Sequence, residues 1–445
     1  MNARNFAPIP PLPQRTLRIA ALALQSVIVA TVLILGLIGA SSPVRERVFA
    51  FLGSGSHPGA APFVAVLCLA WVLAVAATFL AAWRLQSRSW WNIALGYVAM
   101  GLVIAYLAHD EPAIRHPLTM EEISPVFPGA EASYNVLMTY GKQHPLGRNF
   151  KAPSFKDPYP NFVPGKPGIW REAITSHRAE IEAHWAGLTA ERAWWAQLGA
   201  FDRIGDLMPA RFDGEIPSFQ VFRTISQHGL AIASLEALDG HGDEAIDTLL
   251  PVLEVGRKLQ PYSRSLVRDM IAVVIERNSL DTAVFILDNN TVSPAARARL
   301  AAALQGGDAE AGARHLFSTE YALNLGAMGS SRVGDIMASM GSLEKHPWLI
   351  RGLNAVSPFL YTPHRTFNQI GDLYSNWQDI AAHRQLDQLD IRWKAFLDEE
   401  SRPGIRNIFG RWLELEMIPA YVKVSENYWR TQDQRAALLA RLAKT

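Results

Sequence analysis

Apolar residues run in three long stretches near the start of the chain, Ile19 to Ala40, Phe63 to Trp83 and Trp91 to Ala108, and nothing comparable follows. At 1.5 Å of rise per helical residue, each matches a hydrocarbon core roughly 30 Å thick. Backbone polar groups in lipid must bond within their own segment, so the pattern predicts three N-terminal transmembrane helices. Between His109 and Gly168 the prolines Pro112, Pro117, Pro125, Pro128, Pro145, Pro153, Pro158, Pro160, Pro164 and Pro167 discourage helix. A short helix is expected only around Glu131 to Gln143. Free linkers are poor in aromatic residues, so Phe150, Phe155, Tyr159, Phe162 and Trp170 predict a segment docked on the rest of the protein.

From Trp170 onward the spacing is helical. Trp194, Trp195, Leu198, Phe201, Ile204 and Met208 repeat at that period after the candidate cap Thr189, and Ser218 opens a helix reaching Leu238. His241-Gly242-Asp243 turns the chain. Asp243 is then expected to cap a helix striped with Ile246, Leu249, Leu250, Leu253 and Leu259, and Ser293-Pro294 to start the next. The first two form one hairpin of the tetratricopeptide kind, with Ala245 small where the helices cross. No second copy follows near a period of 34 residues, so no regular solenoid is predicted. Further helices are expected at Ala309 to Ala327, Phe367 to Leu397 and Arg406 to Leu442, the last bent at Pro419. The expected architecture is all-α, in three blocks: residues 1–108 as tail and membrane anchor, 109–168 as a proline- and aromatic-rich connection, and 169–445 as a helical soluble domain.

Charge adds an orientation. With a cytoplasmic N-terminus, Arg4, Arg15, Arg18, Arg84 and Arg88 lie inside against Arg45, Arg47 and Arg115 outside, and three spans place the long C-terminal part outside the cytoplasm, on the outer side of a bacterial inner membrane. Ile38 spoils a signal-peptidase pattern after the first stretch. Gln25, Ser26 and Thr31, with small residues such as Gly36, Ala70 and Ala74, fit helix packing rather than a transport path. The net charge of +1 disfavours a nucleic-acid partner. The single cysteine, Cys68, falls in the second apolar stretch, which excludes disulfides and thiolate sites from the rest of the chain.

Candidate chemistry is thin. His177 and His184 share one face of an expected helix, but seven residues separate them by about 10.5 Å, too far for one metal ion. Ser342-Leu343-Glu344-Lys345 matches the serine–lysine pattern of penicillin-binding enzymes without its companion elements. Gly326, Gly329 and Gly334 around Ser330, Ser331 and Arg332 read as a helix break, lacking the order of a phosphate loop. Glu121 with Glu122, Glu414 with Glu416, and Asp398 to Glu400 read as solvated acidic faces. Asn289-Asn290-Thr291 fits a glycosylation acceptor. No residue is nominated as catalytic, cofactor-binding or metal-ligating, and no cofactor is expected.

The stretch from Ile225 through Leu304, then Arg314 to Leu325, Asn407-Ile408-Phe409-Gly410-Arg411 running to Pro419, and Gln432 to Leu442, resembles an uncharacterised family of bacterial membrane-anchored helical proteins. Ile408 stands where that family has proline in an N-P-x-G helix start. The resemblance covers about the C-terminal half and implies the fold alone. The expected function is a membrane-anchored binding or scaffold module, with the lipid bilayer and a protein or envelope component as partners. The alternative is an extracytoplasmic hydrolase-type enzyme. A deep pocket with convergent histidine, serine or carboxylate groups favours the enzyme, and a broad open groove favours binding.

Overall fold

The computed structural model describes residues 88–140, 167–211, 219–339, 346–400, 406–417 and 421–444, with positions 76, 78–80, 83, 214 and 217. Among them the ordered elements are all helical, as the periodicity predicts, and the chain divides into two compact units whose segments interleave. The consecutive blocks read from the sequence follow chain order; the compact units do not.

Unit 1 comprises residues up to Ala113, Ser331–Thr366 and Pro403–Leu413. It contains α1 (Arg88–Ala108), and later α12 (Val333–Ser339) and α13 (Pro347–Leu360). The first two predicted spans lie almost wholly outside the described residues. Among the described residues no helix is long and apolar enough to cross a membrane. Helix α1 covers the third predicted stretch, packs on α13, and leaves Trp91, Ile93, Leu95, Leu102, Val103 and Tyr106 exposed. Helices α12 and α13 approach closely because Gly334 has no side chain: a Cβ there would lie 2.3 Å from the Ile350 carbonyl oxygen. The Asn354 amide donates to Asp335 at 2.8 Å, and Ser357 accepts from the Val333 N–H at 3.1 Å.

The Asn407-to-Gly410 motif has a structural explanation. Asn407 is buried and left-handed (φ 56°), a conformation asparagine tolerates better than most residues. Its Oδ1 accepts from the Thr362 N–H at 2.9 Å, and its Nδ2 donates to Thr366 Oγ1 at 2.9 Å. A Cβ on Gly410 would sit 2.2 Å from both Asn407 Oδ1 and Thr366 Oγ1, so the fourth position must be glycine. Asp110 accepts from the N–H groups of His364 and Arg365 at 3.0 and 2.9 Å, capping the start of α14 (Pro363–Ala382) across a long stretch of sequence.

Unit 2 comprises Ile114–Ser330, Phe367–Arg402 and Glu414–Thr445. It begins with α2 (Met120–Ile123), held by a capping box between Thr119 and Glu122, and α3 (Ala130–Leu137), which ends in a 3-10 turn to Tyr140. Then come α4 (Pro167–Ser176), α5 (Arg178–Gly187), α6 (Thr189–Gly199), α7 (Phe219–Leu238), α8 (Gly242–Leu259), α9 (Leu266–Asn289), α10 (Pro294–Leu304) and α11 (Ala309–Met328). The expected hairpin is α7 with α8, and α9 packs on both. Ile246, Leu249 and Leu253 are fully buried, each worth about 1.5–3 kcal/mol. Gly256 brings α8 against α9: a Cβ there would meet Ile275 at 2.7 Å. The last helix, α17 (Tyr421–Ala443), lies on α9, α10 and α11.

Several expectations are corrected. Thr189 is the first residue of α6 rather than its cap. Asp243 does not cap its own helix; its Oδ1 accepts from the Ser293 N–H at 2.8 Å and ties α8 to the start of α10. Ser293 caps α10 as expected, with Pro294 next. The long helix expected over Phe367 to Leu397 is two, α14 and α15 (Leu386–Glu400), separated at Arg384, which is left-handed (φ 59°). The one expected over Arg406 to Leu442 is α16 (Ile408–Met417) and α17; Pro419 lies outside the described residues. Trp170 docks as predicted, buried and donating to Ser234 Oγ at 3.1 Å, while Phe150, Phe155, Tyr159 and Phe162 lie outside the described residues.

Candidate functional site

Charged residues on the apolar stripes of helices are the starting point. On α8, Arg257 follows Leu249 and Leu253 on the inward side; on α9, Glu276 falls among Ala272, Ile275, Ser279 and Ala283; on α11, His315 sits between Ala313 and Leu316. Burying such groups is costly unless they are paired. In unit 2 they converge. With Arg435 and Tyr428 of α17, Gln260 and the loop Gly307-Asp308, they line a cavity of about 390 Å³, within the roughly 300–1,000 Å³ of small-molecule sites.

The cavity is held open by glycine and by capping. Gly306 and Gly307 have φ of 80° and 87°, a left-handed turn between α10 and α11 that other residues rarely adopt. Asp308 caps α11, accepting from the N–H groups of Glu310 and Ala311 at 2.9 and 3.1 Å. Gly312, one turn on, leaves room for the Tyr428 hydroxyl, which would lie 2.2 Å from a Cβ there and which donates to the Ala309 carbonyl at 2.9 Å.

Glu276 stands between two guanidiniums. Its Oε1 is 3.8 Å from Arg257 Nε and 3.6 Å from Arg435 Nη1, ion-pair distances beyond hydrogen-bond range. Arg257 is further committed to the end of α10 and the loop after it, donating to the carbonyls of Ala303, of Gln305 at 2.8 Å and of Gly306 at 3.0 Å. Burial raises the Glu276 carboxyl, and Arg435 and Arg257 pull it back. Burial likewise drives the His315 imidazole down to about 4, with the nearby Arg268 charge acting in the same direction, so the ring is neutral at pH 7. Its Nε2 lies 4.0 Å from Asp269 Oδ1, and burial holds the Asp269 carboxyl well above the usual range. A neutral ring facing a carboxyl biased toward its protonated form is not an ion pair at neutral pH. Glu276 Oε1, His315 Nε2 and Gln432 Oε1 are buried without a hydrogen-bond partner.

Beneath this cavity lies a structural ion pair. Arg268 is fully enclosed, 3.2 Å from Asp206, and donates to the carbonyls of Leu259, Gly205 and Ile204 at 2.7, 2.9 and 2.8 Å. Asp206 also accepts from the Met208 and Arg264 N–H groups at 3.0 and 2.9 Å.

The residues weighed from sequence go elsewhere. His177 does not share a helix with His184; it marks the break before α5 and lies 3.4 Å from Glu180, while the His184 ring faces His228 at 5.9 Å. Among the described residues no histidine, cysteine and carboxylate cluster has metal-binding geometry. Ser342 and Lys345 lie outside the described residues. The expected helix break falls at Gly329, between α11 and α12, whereas Gly326 and Gly334 lie inside those helices. Glu414 is not on a solvated face: it is fully buried. Glu122 belongs to a helix cap and Glu121 pairs with Arg264 at 3.4 Å, whereas Asp398 and Glu399 are exposed. Asn289 bonds through both ends of its amide, accepting from Arg171 and donating to the Phe285 carbonyl.

No known protein family, curated protein or solved structure matches the chain. The family resemblance of the C-terminal half gains nothing from these comparisons.

Proposed function

We propose that the chain is a membrane-tethered helical binding domain that holds a small polar ligand in the cavity of unit 2. The observation that carries this reading is a concave space of small-molecule size lined by charged and polar residues, among them Arg257, Arg435, Glu276, Asp308 and Tyr428. A scaffold for a large partner has no need of such a cavity, so the reading moves from a macromolecular surface to a small ligand of the envelope. The tether rests on the three apolar stretches and on the apolar residues exposed along α1. The arginine distribution around the apolar stretches supports a cavity outside the cytoplasm.

A histidine and a carboxylate do converge here, as the enzyme alternative asks, but their states suit binding better than turnover. Glu276 is engaged by two arginines, and His315 is neutral beside a carboxyl that is itself biased toward protonation. Among the described lining residues the hydroxyl is that of Tyr428, which burial pushes well above the ordinary phenol range and which is a poor nucleophile for that reason. The test uses Ala311→Trp, which plugs the rim from an exposed position on α11. Mass spectrometry of small molecules retained by the gently extracted full-length protein should find a compound in the wild type that the plugged variant loses. Identical small-molecule content in both proteins would remove the cavity from the function.

A further inference from the structure

On α13 two polar side chains turn to protein while apolar ones turn outward. Asn354 bonds to Asp335 and Ser357 accepts from the Val333 N–H, both toward α12. Trp348 is 66% exposed, Val356 is exposed with it, and a Cβ on Gly352 between them would meet nothing within 4 Å. Positions 348, 352 and 356 recur at helical spacing and so share one face, with Arg351 exposed beside it. An apolar face of this kind marks a contact with something apolar.

The start of α16 repeats the pattern. Ile408 and Trp412, one turn apart, are exposed, and the Phe409 ring lies 5.2 Å from that of Trp412 and 5.7 Å from that of Tyr361, which follows α13. The same region is fixed to the C-terminal end of α1, the last of the three apolar stretches. Arg406 donates to the His109 carbonyl at 2.6 Å and lies 5.2 Å over the Tyr106 ring, and His364 Nδ1 is 2.7 Å from the Glu111 carbonyl oxygen. Charge sets these segments apart from the rest: Ser331–Thr366 and Pro403–Leu413 together hold 6 lysines and arginines against 2 acidic residues, whereas unit 2 holds 29 against 36.

We infer that the outward face of α13 and the start of α16 rest on the surface of an anionic phospholipid bilayer, with Trp348, Val356, Ile408 and Trp412 among the upper acyl chains. Tryptophan suits the headgroup boundary, a helix lying in that plane buries an apolar face there, and an excess of cationic side chains is drawn to anionic lipid. The inference rests on the reading of α1 as part of a membrane tether and adds a second lipid contact, made by segments far along the chain.

The experiment places the full-length protein in vesicles of phosphatidylcholine with about 30% phosphatidylglycerol, carrying the environment-sensitive fluorophore NBD on a single cysteine in a Cys68→Ser background. Trp348→Cys and Ile408→Cys report the inferred contact, Leu102→Cys on α1 reports the tether, and Ile391→Cys, exposed on α15 of unit 2, is the control. Phosphatidylcholine bearing a nitroxide on its upper acyl chain should at least halve the emission at positions 348, 408 and 102 and leave that at 391 unchanged. With phosphatidylcholine in place of the anionic lipid, quenching at 348 and 408 should fall at least twofold. Quenching at 102 with 348 or 408 left bright would overturn the inference and leave the tether standing, and no quenching at any of the three would remove both. Blue-shifted emission at 348 that the lipid nitroxide does not quench would mean that protein, such as a second copy, covers the face, and would overturn the inference too. Equal quenching of 348 and 408 in the two lipid mixtures, or equal quenching of 391 and 348, would do the same.

Discussion

Replacing Arg268 by methionine tests how unit 2 is held together. The side chain is 1% exposed, pairs with Asp206 at 3.2 Å and donates to three carbonyls, of Leu259, Gly205 and Ile204. Methionine keeps most of the volume but removes every donor. It leaves a nearly buried Asp206 without its cation and three carbonyls without their shared partner. Breaking a buried pair from one side costs about 3–5 kcal/mol, because an uncompensated charge stays behind. For a body of this size, roughly 2–4 °C of melting temperature accompanies each kcal/mol. Arg268→Met should therefore lower the melting temperature of the full-length protein by roughly 6–20 °C, followed by far-ultraviolet circular dichroism. The double variant Arg268→Met with Asp206→Asn should lose less than the two single losses added together, since no unpaired charge remains. A fall equivalent to less than about 1 kcal/mol, the scale of an exposed pair, would refute the reasoning. So would strict additivity.

Two further outcomes follow from titration and topology. The Asp281 carboxyl is raised by burial to about 6, so folding favours its protonated form; its penalty is absent at pH 4 and complete above pH 6. Asp281→Asn should then stabilise the protein at pH 8 by about 1–2 kcal/mol, reduced from the full shift because the side chain is partly exposed, and change little at pH 4; equal effects at both pH values would contradict it. For topology, Lys444→Cys in a Cys68→Ser background should react with an impermeant thiol reagent on intact cells, and protection until the membrane is opened would place the C-terminal end on the cytoplasmic side.

The helical class, the α7–α8 hairpin, the start of α10 at Ser293-Pro294 and the burial of Trp170 were all legible in the chain itself. Apolar period, proline and capping residues act within a few positions, and a local pattern carries local information. Where the expectation failed, structure beyond the local segment decided: Asp243 bonds to Ser293 instead of its own helix, and Glu414 is buried although its neighbours spell an acidic face. The cavity was the least legible feature. Arg257, Glu276, His315 and Arg435 each showed the one local sign available, a polar group placed on or beside an apolar stripe, but that sign does not say which groups will meet. Four helices and a two-glycine turn bring them together, and the same burial sets their charges, leaving His315 neutral and Glu276 between two arginines. Sequence determined which segments form helices because helix formation is decided by neighbours. Which charges share a low-dielectric space, and so what the space will hold, was decided only by packing between residues far apart in the chain.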